Sequence, residues 1–134
     1  MQKFIIGTND FGVGEVTFKI DKENSIINNL TIVADEETFQ KLSDDEDGEW
    51  FWVLYPPRLY FKEIPFELKD DKIEIIITEE ILDNCDVALY LMEHNDIGGK
   101  FIINKNGIFV FEGCTYISGK EVKLELELEV NLTL

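Results

Sequence analysis

At the C-terminal end of this chain Val122, Leu124, Leu126, Leu128, Val130, Leu132 and Leu134 alternate with Lys123, Glu125, Glu127, Glu129, Asn131 and Thr133. Successive side chains of a strand point to opposite faces, so this pattern predicts a long strand with one face buried and the other in water. A helix would spread the same apolar residues around its whole circumference and leave no coherent face. A half-buried strand needs neighbours. Ser118-Gly119 just before it reads as a turn, which pairs Cys114 to Ile117 antiparallel with the start of the strand.

Further hairpins follow from the same logic. Phe101 to Ile103 and Ile108 to Phe111 flank the polar loop Asn104 to Gly107, where Gly107 supplies the positive φ a tight loop needs. Phe66 to Leu68 and Ile73 to Thr78 flank Lys69 to Lys72, and Val16 to Ile20 and Ile26 to Val33 flank Asp21 to Ser25. Helix has little room. Asp35 can cap a short one through Leu42, with Glu36 and Glu37 at its positive end and Phe39 and Leu42 inward, and Thr78 can cap another through Asn84 with Ile81 and Leu82 buried. The expected fold is mainly β: an antiparallel β-sandwich or strongly bent sheet of hairpins with one or two short connecting helices. No repeat or Pro/Gly/Ser linker divides the 134 residues, which are read as a single domain, 1–134.

Charge bounds the partners. With 28 acidic residues against 12 basic ones the formal net charge is -16. Such a field repels nucleic acid and anionic membrane surfaces, and no two lysines are adjacent to form a phosphate-neutralising run. A basic protein or a cation is favoured, because a field of one sign speeds encounter with the other. The N-terminal Met1-Gln2-Lys3-Phe4-Ile5-Ile6-Gly7 has an apolar run too short for a secretory signal, so a cytoplasmic location is expected. Cys85 and Cys114 are too few for a disulfide framework and are read as buried thiols. Two glycosylation sequons, at Asn29 and Asn131, carry no weight in a chain read as cytoplasmic.

Several segments invite chemistry. From Asp35 to Glu49 there are eight carboxylates and one base, Lys41. Placing Gly48 at the sixth position of a calcium-binding EF-hand loop puts Ser43 first and Leu54 twelfth, where an Asp and a bidentate Glu are required, so that register fails. A solvated loop is expected instead. Next comes Trp50-Phe51-Trp52-Val53-Leu54-Tyr55-Pro56-Pro57, apolar on both faces if extended, which predicts a central strand ended by the prolines. The functional alternative is an exposed Trp acting as a binding anchor. Beyond the prolines, Arg58, Tyr60 and Lys62 share one side of the next strand and are expected to face solvent. His94, the only histidine, lies in a loop beside Asp96 and is read as exposed, with no nucleophile motif tied to it. Glu125, Glu127 and Glu129 stand about 7 Å apart along a strand rising ~3.3 Å per residue, which falls in the range of glycosidase carboxylates but follows from alternation alone. Gly7, Gly12 and Gly14 match no phosphate loop and read as a flexible turn.

Together these features exclude most catalytic classes, and no enzyme activity, cofactor or metal is expected. In size and charge the chain is similar to the small acidic proteins with which bacteria neutralise toxins, whose partner is often a basic nuclease. The leading reading is a non-enzymatic acidic protein that docks a basic macromolecular partner, specifically a toxin-neutralising immunity protein facing a toxin domain. Its surface is assigned to Asp44, Asp45, Glu46, Asp47, Glu49, Trp50 and Trp52. The alternative is a ligand- or carbohydrate-binding β module that uses exposed aromatics, which requires a solvent-facing Trp and a concave sheet face.

Overall fold

A computed structural model describes residues 2–131. In chain order its elements are β1 (Lys3–Ile6), β2 (Asn9–Asp10), β3 (Val13–Asp21), β4 (Ile26–Ala34), α1 (Glu36–Ser43), β5 (Arg58–Pro65), β6 (Leu68–Lys69), β7 (Lys72–Ile77), α2 (Glu79–Asn84), β8 (Asp86–Tyr90), β9 (His94–Asn95), β10 (Ile97–Asn104), β11 (Ile108–Ile117) and β12 (Lys120–Glu129). The strands form two antiparallel sheets, one of seven strands in the order β2-β1-β12-β11-β10-β7-β6 and one of five in the order β3-β4-β5-β8-β9. The sheets pack together as a β-sandwich, with two short helices as connectors.

Local chemistry accounts for the hairpins. Between β11 and β12 the loop is Ser118-Gly119, with φ of 52° and 77°, and Ile117 pairs with Lys120. Two positive-φ residues in a two-residue loop match the right-handed twist of the flanking strands. The β6–β7 turn is the same device, made by Asp70 and Asp71 with φ of 54° and 61°, so the turn is narrower than the four polar residues suggested. Between β10 and β11, the Asn104 side-chain oxygen accepts from the backbone N–H groups of Asn106 at 3.0 Å and Ile108 at 3.1 Å. Asp35 caps α1 by accepting from the backbone N–H of Thr38 at 3.0 Å, and Thr78 caps α2 by accepting from that of Ile81 at 3.3 Å. Phe39 is buried as expected, whereas Leu42, Ile81 and Leu82 pack against the core but are only half-buried.

In β12, Leu124, Leu126 and Leu128 are buried and Val130 follows them, while Leu132 and Leu134 lie outside the described residues. β12 sits between β1 and β11, pairing Phe4 with Leu126 on one side and Phe111 with Leu126 on the other. The two sheets meet at Phe61. From β5 its ring reaches Phe101, Phe109 and Phe111 of the opposite sheet, with centroids 4.9, 6.0 and 6.0 Å away. Where β10 passes β11, Gly113 opposes Gly99, and a Cβ on Gly113 would collide with the Gly98 carbonyl oxygen. Both positions demand glycine because the backbones approach too closely for any side chain.

Truncating a buried Leu or Phe removes transfer energy and leaves a cavity. Leu126→Ala is expected to lower unfolding free energy by about 2–5 kcal/mol and Phe61→Ala by about 3–5 kcal/mol. Glu127→Ala, on the opposite face of β12, should stay within about 0.5 kcal/mol. Urea unfolding followed by circular dichroism checks all three, and equal small effects would mean that the strand faces the other way.

Candidate functional site

α1 ends at Asp44, whose backbone N–H bonds the Gln40 carbonyl at 2.9 Å while its carboxylate accepts from the Gln40 side-chain amide at 2.7 Å. The chain then turns tightly. Asp45 accepts the backbone N–H of Asp47 on its side chain at 3.1 Å and that of Gly48 on its carbonyl at 3.0 Å. Asp44, Asp45, Glu46, Asp47 and Glu49 are all exposed. Glu49 is anchored, accepting from the Asn9 amide at 2.6 Å. Among the described residues no cluster of three or more His, Cys, Asp or Glu is placed to hold a metal ion.

The strand expected over Trp50 to Tyr55 does not form; residues 50–57 are irregular. Trp50, 5% exposed, and Val53, 2% exposed, are buried along with Pro57, and the Val53 N–H bonds the Trp50 carbonyl at 3.1 Å. A spacing of three belongs to a turn, not to the two-residue period of a strand. A run apolar at every position therefore misread as a two-sided strand, and Pro56-Pro57 denies it ladder donors. Trp50 packs edge-on against Phe11 with centroids 4.9 Å apart. The outward side chains are Phe51, Trp52, Leu54 and Tyr55, 52%, 49%, 66% and 64% exposed. Glu49, Trp50 and Trp52 come together in a cleft of about 300 Å³ closed by Ile6, Ile117, Lys120 and Val122. Asp44, Asp45, Glu46 and Asp47 stand on the loop before it and do not line it.

A second concavity, about 370 Å³, opens on the outer face of the five-stranded sheet among Thr31, Arg58, Tyr60, Lys62, Asp86, Tyr90 and His94. Strand pairing builds it: Arg58 faces Tyr90, Lys62 faces Asp86, Tyr60 faces Thr31, and Tyr90 faces His94. Tyr60, expected at the surface, is only 7% exposed, because its neighbours close over it. Its hydroxyl lies 2.6 Å from His94 Nδ1, and the Lys62 ammonium sits 5.3 Å from its ring centroid. His94 is exposed yet held, its ring against Tyr90 at 5.1 Å. The neighbouring Asn95 is buried, its amide donating to the carbonyls of Leu89 at 3.2 Å and Glu93 at 3.1 Å. Asp96 takes no part through its carboxylate; its backbone carbonyl accepts from the Thr115 hydroxyl at 2.9 Å. Burial first, and then the negative charge of Asp86, hold the Tyr60 phenol above its ordinary pKa. The sequence hint was the alternation of Arg58, Tyr60 and Lys62, but nothing local ties Tyr60 to a histidine 34 residues away.

Elsewhere the nucleophile candidates are quiet. Cys85 and Cys114 are free and half-buried, not fully buried as expected. Burial, Glu63 and Glu80 raise the Cys85 thiol, the opposite of activation. Glu125 bridges Lys123 at 3.0 Å and Lys3 at 3.5 Å, and its hydrogen bond from Lys123 is the main cause of its lowered pKa. Among the described residues no helix is long and apolar enough to cross a membrane. Comparison of the chain with protein-family models, curated proteins and solved structures finds no match.

The Tyr60 environment has a measurable consequence. Its phenol should titrate above the ordinary value of about 10, and Asp86→Asn should bring that titration down. Because the folded pKa is the raised one, the associated stability is present below pH ~10 and is lost as pH rises through the folded value. Carbon-13 NMR titration of the labelled Tyr60 ring checks the shift, and an unchanged pKa in Asp86→Asn would remove the carboxylate as a cause.

Proposed function

We propose that this protein is a non-enzymatic acidic binding protein that docks a basic macromolecular partner, specifically a toxin-neutralising immunity protein facing a basic toxin domain. The observation that carries the reading is the exposure of Phe51, Trp52, Leu54 and Tyr55 immediately after the carboxylates of Asp44 to Glu49. A segment of large exposed apolar side chains, interrupted by the buried Val53 and preceded by a run of charge, has the anatomy of a protein-docking patch: aromatic anchors at the centre, charge at the rim. Charge complementarity selects a basic occupant, and the net charge of -16 accelerates its approach. Within the surface assigned from sequence, Trp52 is the anchor. Trp50 supports it from the core. The carbohydrate-module reading draws on one observation, the half-exposed Trp52 beside a cleft of about 300 Å³. A neutral sugar, however, gains no long-range attraction from the net charge of -16.

The test is a photo-crosslinkable residue in place of Trp52, with exposed Asp70 on the β6–β7 turn, at the other end of the seven-stranded sheet from β1 and β12, as the control position. A basic protein captured from position 52 and not from position 70 is the expected result. Equal capture at both positions, or an acidic protein, would overturn the reading. With that partner in hand, stopped-flow association should separate rim from anchor. Changing Asp44, Asp45 and Asp47 to Asn and Glu46 to Gln should slow association about tenfold at low salt, flatten its salt dependence and leave dissociation near wild type. Trp52→Ala should instead speed dissociation.

A further inference from the structure

The concavity on the five-stranded sheet is an electrostatic exception. It is lined by the chain's only arginine, Arg58, and its only histidine, His94, and it also holds Lys62, in a chain with 28 acidic residues and 12 basic ones. Among the described residues the ion pairs are Lys3–Glu125, Lys72–Glu74, Lys100–Glu74 and Lys123–Glu125, all on the seven-stranded sheet. Arg58 and Lys62 enter none of them. Within the concavity two cations face one carboxylate, Asp86, so its sign is opposite to that of the chain as a whole. Since charge is screened beyond about 8 Å at physiological ionic strength, a ligand inside answers to these side chains more than to distant carboxylates.

We infer that this concavity binds a small organic anion carrying a carboxylate or phosphate group. Arg58 supplies a planar fork of donors that matches either oxyanion, and Lys62, positioned over the Tyr60 ring, adds a second charge. Tyr90 and His94 give the wall an aromatic face, with centroids 5.1 Å apart, for the body of the molecule. Where Tyr60 donates to His94 Nδ1, the neutral imidazole carries its proton on Nε2 and offers a further donor. The volume of about 370 Å³ lies within the range of small-molecule sites. The site is separate from the Trp52 surface and does not depend on the docking function.

The experiment is an NMR titration of the labelled protein with inorganic phosphate and with benzoate, each at ionic strength held constant with sodium chloride. Saturable shifts of the His94 and Tyr90 ring signals are expected with one or both probes, and the stronger of the two names the anion. Changing Arg58 and Lys62 together to Gln should weaken that binding by about tenfold or more, as loss of charge-assisted hydrogen bonds does. Both positions are solvent-exposed, and an unchanged amide spectrum elsewhere would show that the double variant still folds. Shifts that never saturate with either probe and match the sodium chloride control, or saturation that persists in the double variant, would overturn the inference.

Discussion

Phe61 is the contact on which the arrangement of the molecule turns. It is fully buried, and its ring meets Phe101, Phe109 and Phe111 across the gap between the sheets. Phe101 and Phe109 also stack on each other with centroids 5.4 Å apart, so four rings share one cluster. A strand that commits one side chain to the core commits its neighbours to the other face. With Leu59 and Phe61 inward, Arg58, Tyr60 and Lys62 must stand on the outer face of β5, and the register with β8 brings Asp86 and Tyr90 beside them. The concavity is therefore a consequence of core packing carried through one strand.

The acidic loop and the aromatic segment after it depend on a different balance. Phe51, Trp52, Leu54 and Tyr55 expose apolar surface that a monomer of this size ordinarily hides, and such surface promotes self-association. A large net charge of one sign opposes that association, because two copies of the protein repel each other. The carboxylates thus oppose the self-association that the exposed aromatics invite, and on the docking function proposed above the two features act as one surface. Trp50 and Val53 keep that surface in place by filling the core beneath it.

The readable parts of this structure are those whose causes are local. Alternation along β12, the Ser118-Gly119 turn, the Asn104 to Gly107 loop and the caps at Asp35 and Thr78 each rest on residues within a few positions of one another, and each forms as the sequence implies. The segment 50–57 failed because hydrophobicity at every position holds no period, so burial of Trp50 and Val53 at a spacing of three could not be separated from a two-sided strand. The Tyr60–His94 contact was out of reach for another reason. It exists only once β5, β8 and β9 are in register, and register over that separation is set by the whole sheet. Asn95 is similar: nothing in the polar segment read as a loop announces a short strand, β9, whose Asn95 amide is buried against the Leu89 and Glu93 carbonyls.

The two surfaces are also linked by the chain itself. Only Pro56 and Pro57 separate Tyr55, the last exposed aromatic, from Arg58, the first residue of β5. Three residue steps span at most about 11 Å, and that distance is comparable to the screening length of physiological salt. Two prolines restrict the backbone between these points, and the Pro57 carbonyl is fixed by the Ala34 N–H at 2.9 Å. The backbone of Arg58 is thus held within about 11 Å of Tyr55 by a stiff connection, while its charge belongs to a concavity separate from the Trp52 cleft. On the docking function proposed above, a basic partner seated on the aromatic segment would meet a like charge at Arg58, and that repulsion limits how far it can spread across β5.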